Sequence, residues 1–123
     1  MVVVTFKAKR IQQQNRIIGF ASNFMKDKLG RGPQNIKVKI LEDIIEIDLK
    51  GYLVDIEKSL LENGDPQDIE FVNRIRARWL EKNINLIEEC ISEIIEKDVR
   101  FLFAYGSPLE DIAKITLIIE KTS

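Results

Sequence analysis

Gly30–Leu53 reads GRGPQNIKVKILEDIIEIDLKGYL, and the other elements are organised around it. A corner of Gly30, Arg31, Gly32 and Pro33 leads into two alternating runs separated by Glu42-Asp43. In the first, Ile36, Val38 and Ile40 share a face opposite Lys37 and Lys39. In the second, Ile45, Ile47 and Leu49 oppose Glu46, Asp48 and Lys50. Period two on both sides of a short acidic turn predicts a β-hairpin with one buried face. A one-residue slip would carry the isoleucines into water, so burial fixes the register. The expected inner pairs are Ile40–Ile45, Val38–Ile47 and Ile36–Leu49. Outside, Lys39 stands opposite Glu46 and Lys37 opposite Asp48, a favourable cross-strand arrangement.

Upstream of the corner the period changes to that of a helix. Ile11, Ile17, Ile18, Ala21, Phe24, Met25 and Leu29 recur at spacings of three and four from about Lys7. Thr5 is the candidate N-cap, and Gly30 stands where a left-handed C-cap residue belongs. Val2–Phe6 reads as a short edge strand or a loose start. Two glycines beside Arg31 are able to cradle an anion with backbone amides. The corner precedes a strand rather than a helix N-terminus, however, and a helix stop plus a tight turn accounts for it without a ligand.

Downstream, Asp55 is the expected cap of a short helix, Ile56 to Glu62, closed by Asn63-Gly64. Asp65-Pro66 opens a long helix with a cap followed by proline at the first helical position. Its stripe is read as Ile69, Val72, Ile75, Trp79, Leu80, Ile84, Ile87, Ile91, Ile94 and Ile95, continuing to about Lys97. Arg74, Arg76 and Arg78 make its first half basic; Glu88, Glu89, Glu93 and Glu96 make its second half acidic. The last segment alternates again. Val99, Phe101, Phe103 and Tyr105 form one expected inner face, and Ala113, Ile115, Leu117 and Ile119 the other, with Phe103 opposite Ile115. The fold class is therefore α+β, an antiparallel sheet of two hairpins packed against helices in the order α-β-β-α-α-β-β.

Residues 1–123 are expected to form one domain, 45% hydrophobic and 32% charged, with no apolar run long enough to span a membrane. Met1–Phe6 is read as too short for a signal-peptide core. One cysteine, Cys90, excludes an intrachain disulfide and fits a reducing compartment. The chain has no histidine, which removes Ser-His and Cys-His couples and the usual imidazole ligands of zinc. No catalytic residue, cofactor or metal site is expected. Charge is uneven: residues 1–39 hold nine basic residues and one acid, a net +8, against −9 for the remainder. Such asymmetry marks either a nucleic-acid or anionic surface or a basic helix packed beside an acidic one.

The chain resembles the bacterial MpsC family. The resemblance rests on LGRGP at Leu29–Pro33, a strand, an acidic turn, and a strand ending in Lys50-Gly51-Tyr52-Leu53, then Glu57 and Leu60. It runs from about Lys9 to Glu120. Two departures stand out. Leu53-Val54-Asp55 replaces the family's usual Leu-Thr-Pro, and Ile95-Glu96-Lys97-Asp98 replaces a usual glycine at the end of the long helix. The resemblance implies a link to a cation-translocating, membrane-potential-generating system, and no catalytic residue carries over. The expected role is a cytoplasmic accessory or interaction protein, peripheral to the membrane, whose partner is a membrane-transport protein. The alternatives are a nucleic-acid-binding module on the basic first helix and a small-anion binder at the Gly30–Pro33 corner. Arg31, Gly32, Arg74 and Arg78 are the candidate anion or partner contacts. A homodimer is expected as well. Pro66–Lys97 as one helix would run about 48 Å, beyond the roughly 35 Å diameter of a compact body of this length. The excess implies either a break at Asn83-Ile84-Asn85 or cover from a second chain.

Overall fold

The two runs flanking Glu42-Asp43 form β1 (Asn35–Leu41) and β2 (Ile44–Lys50), paired in the expected register from Ile36↔Leu49 to Ile40↔Ile45. Val38, Ile40, Ile45, Ile47 and Leu49 are buried on one face. On the other face the charges stand opposite one another as expected, but the ion pairs run to the next strand. Lys114 lies 3.9 Å from Glu46 and 3.7 Å from Asp48. The computed structural model describes residues 6–121. Expectations for residues 2–5, the strand-like start and the Thr5 cap, lie outside the described residues.

The remaining elements are α1 (Phe6–Leu29), α2 (Asp55–Leu60), α3 (Pro66–Ile95), β3 (Val99–Ser107) and β4 (Ile112–Ile119). The sheet is antiparallel in the order β1-β2-β4-β3, which places the two hairpins side by side with β1 and β3 at the edges. Helix α1 packs against β1 and α3 against β3, and the two helices touch. Their buried stripes meet the inner sheet face in a single core in which Ile17, Ile45, Val72, Ile91 and Leu117 are fully enclosed. Each such side chain stabilises the fold by about 1.5–3 kcal/mol.

Helix ends follow the sequence closely. Gly30 has φ +81°, and its N–H donates to the Lys26 carbonyl at 2.9 Å, ending α1 as expected. Asp65 caps α3 through the Gln67 N–H at 2.9 Å, with Pro66 in the first helical position. Helix α3 is continuous over 30 residues, with no break at Asn83-Ile84-Asn85. It ends on Glu96 in the left-handed region (φ 64°), in the segment where the MpsC-like pattern usually carries a glycine. At α2 the cap falls one residue early. Val54 is the cap residue, Asp55 is already helical, and the Glu57 carboxylate reaches back 2.9 Å to the Val54 N–H.

Three expectations about faces are corrected. Ile11 is 48% exposed rather than buried. Ile75 is 45% exposed; the inward position on that turn of α3 belongs to Arg76, four residues after the buried Val72. The largest correction concerns β3. Pairing is regular from Val99↔Ile119 to Phe101↔Leu117, and then a bulge inserts Leu102 so that Phe103 faces Thr116 and Ala104 faces Ile115. The extra residue inverts the alternation. Phe103 and Tyr105 turn to the far face of the sheet beside Lys37, Lys39 and Asp48, whereas Ala104 and Gly106 take the inner positions.

Candidate binding cleft

The bulge has a direct spatial consequence. Where continued alternation would have placed two aromatic rings under α3, the inner face of the sheet carries a methyl group and a glycine. With α1 drawn to β1 and α3 to β3, a cleft of about 460 Å³ opens over β2 and β4. Its floor is Ile47, Leu49, Ala104, Gly106, Ala113 and Ile115. One wall is the α1 face of Phe20, Phe24 and Met25; the other is the α3 face of Arg76, Ala77, Trp79 and Leu80. The walls meet through Phe24 and Trp79, whose ring centroids are 5.8 Å apart and tilted by 55°. Phe24 also packs on Phe20 at 5.4 Å. Ala77 and Ala104 both line the cleft and are exposed, so it is open to solvent.

One end of the cleft is polar. Arg76 donates from Nε to Glu57 at 2.8 Å and from Nη2 to Glu57 at 2.6 Å and to the Tyr52 carbonyl at 2.8 Å. The two side chains are 13% and 9% exposed, so this is a buried, bidentate pair. The guanidinium also lies 5.3 Å from the centre of the Tyr52 ring. A buried charge needs such partners, and here one carboxylate both neutralises Arg76 and satisfies the start of α2. Asp111 completes the frame. Its carboxylate accepts the Leu53 N–H at 2.9 Å and its carbonyl the Gly51 N–H at 2.8 Å, tying the segment after β2 to the β3–β4 turn. Burial pushes the Tyr52 phenol up to about 12, Arg76 opposing this in part. The ring therefore stays protonated.

The candidate residues named from the sequence lie elsewhere and do not converge. Arg31 pairs with Asp55 at 3.2 Å, joining the corner to α2. A side chain at Gly32 would stand 3.3 Å from the Ser22 carbonyl, so this glycine allows the corner to pack on α1. Arg74 pairs with Glu70 at 3.5 Å and Arg78 with Glu81 at 3.4 Å, both on the surface of α3. Of the three-arginine cluster only Arg76 points inward. That was legible, since Val72, Arg76 and Leu80 follow one another at i, i+4, i+8. Burial raises the Cys90 thiol pKa, with Glu89 and Glu93 adding to it, so the cysteine is not an activated nucleophile. Among the described residues no group of His, Cys, Asp and Glu is placed to hold a metal ion, and no helix is long and apolar enough to cross a membrane.

No curated protein and no solved structure matches the chain. The family model described as Na+-translocating membrane potential-generating system (MpsC) matches residues 9–121. That span takes in both hairpins, the long helix and every residue lining the cleft. The chain belongs to the MpsC family.

Proposed function

We propose that the chain is a cytoplasmic accessory protein of a Na+-translocating, membrane-potential-generating system, acting by recognition rather than catalysis. In this reading it sits at the membrane surface against a transport protein. Family membership supplies the link to the system. The observation that carries the recognition role is the cleft itself, an open, mostly apolar hollow whose charged groups are paired within the chain. Concave apolar sites with a few placed polar groups are where proteins bind rather than merely pack. A homodimer is part of the proposal. Helix α3, with its 30 residues, is about 45 Å long, and Phe71, Ile75 and Leu86 stay more than 40% exposed along it. Everted membrane vesicles from the native host test the role. Their Na+-dependent potential, read with a voltage-sensitive dye, should fall when the chain is absent and recover when it is returned. An unchanged potential overturns the proposal. Light scattering should give twice the 14.2 kDa chain mass; a concentration-independent monomer removes the dimer.

A further inference from the structure

The polar end of the cleft indicates what it takes in. Its charge is already spoken for: Arg76 is held by Glu57 and the Tyr52 carbonyl. An ionic headgroup entering here would shed its water without meeting a free counter-charge, which is costly. Two neutral side chains at this end, Tyr52 and Asn73, make no side-chain hydrogen bond to any described residue. Tyr52 is 6% exposed and lines the cleft. In the open cleft its hydroxyl is reached by solvent, and a ligand's hydroxyl or carbonyl can take the water's place. The Tyr52 hydroxyl and Asn73 Oδ1 converge over Gly106, 3.2 and 3.5 Å from where a Cβ would stand, so the glycine leaves room for both groups. The remaining walls are hydrocarbon and aromatic, and the volume of about 460 Å³ is that of a small-molecule site.

We propose that the cleft binds a neutral single-chain amphiphile, its hydrocarbon along Phe24, Trp79 and Leu80 and its hydroxyl or carbonyl end on Tyr52 and Asn73. This rests on reading the cleft as a recognition site and names the ligand class it recognises. A neutral head pairs with a protonated phenol and an amide without disturbing the Arg76–Glu57 pair. The tail replaces water on an apolar surface.

Trp79 is the only tryptophan in the chain and lines the cleft, so its fluorescence reports occupancy directly. Purified chain is titrated with decan-1-ol, sodium decanoate and decyltrimethylammonium, each kept below its aggregation limit. Decanol should give a saturable change, and the two ions should bind at least about tenfold more weakly. Tyr52→Phe should weaken decanol by about three- to tenfold, the weight of one hydrogen bond. Asn73→Ala, at an exposed residue, repeats the test should Tyr52→Phe fail to fold. Ala104→Phe, which fills the floor, should abolish the response. The proposal is overturned if folded wild-type chain shows no saturable response to decanol. Equal binding of all three probes overturns it too, as does an unchanged affinity in the polar variants. The titration uses the isolated chain, so its failure is separable from a failure of the vesicle experiment.

Discussion

Replacing Glu57 with alanine removes the partner of a buried guanidinium, and the structure sets the size of the effect. Arg76 loses two charge-assisted hydrogen bonds of 2.6 and 2.8 Å and keeps the Tyr52 carbonyl and ring. The Val54 N–H loses its acceptor at the start of α2 at the same time. Breaking a buried pair typically costs about 3–5 kcal/mol, because the remaining charge is stranded. Arg76 keeps one carbonyl and slight solvent contact, so the lower end, about 3 kcal/mol, is expected. For a chain of 123 residues, with an unfolding entropy of about 2.1 cal/mol/K per residue, this lowers Tm by about 10–12 °C. Urea denaturation at fixed protein concentration measures it, the concentration being held because a dimer's stability depends on it. The double variant Glu57→Leu with Arg76→Met has no stranded charge and should lie within about 1 kcal/mol of wild type. A loss under about 1 kcal/mol in Glu57→Ala would mean that no charge is stranded. So would a double variant as unstable as the single one.

Three further outcomes follow from single positions. In Tyr105→Phe, Tyr52 is the only tyrosine left, and its ultraviolet titration should have a midpoint well above 10, because burial, the main cause of its rise, is unchanged. Its folded value lies above the unfolded one, so its stabilising contribution is present below pH 10 and lost as pH rises from 10 to 12; a midpoint at 10 contradicts the burial. Thr116 is buried and its Oγ1 has no hydrogen-bond partner among the described residues, so Thr116→Val should be neutral or stabilise by about 1 kcal/mol in urea. A loss of similar size would reveal a partner. Glu96→Gly relieves a left-handed non-glycine residue at the end of α3 and should raise stability by about 0.5–1 kcal/mol, whereas Gly30→Ala at φ +81° should lower it by about 1 kcal/mol. Equal signs for the two changes would contradict the helix-end account.

Much of the fold was legible because its signals are local or enforced by burial. The register of β1 and β2 follows from isoleucines that cannot face water, and Gly30 and Asp65-Pro66 mark helix ends by backbone geometry alone. The bulge was not legible. Leu102 is as apolar as its neighbours and no glycine flags it, so alternation reads straight through Phe101–Tyr105. The cleft depends on that one inserted residue and was hidden with it. The Arg76–Glu57 pair joins positions 19 apart on different helices, so no local pattern announces it. Only the helical period hinted that Arg76 points inward. The surface arginines drew attention because charge is visible in a sequence, whereas a hollow between helices is not.

In the proposed role the cleft is where recognition takes place, and complementation of vesicles lacking the chain is the decisive measurement. Ala104→Phe places a ring on the cleft floor at an exposed alanine, leaving the core and the Arg76–Glu57 pair intact. Circular dichroism and urea midpoints confirm that it folds, and Ala77→Phe on the opposite wall serves as a second variant. Lys37→Ala on the far face of the sheet is the control. Vesicles lacking the chain are supplied with each protein, and the Na+-dependent potential is measured. If recognition runs through the cleft, wild type and Lys37→Ala restore the potential and neither phenylalanine variant does. Full recovery with a folded Ala104→Phe would contradict it.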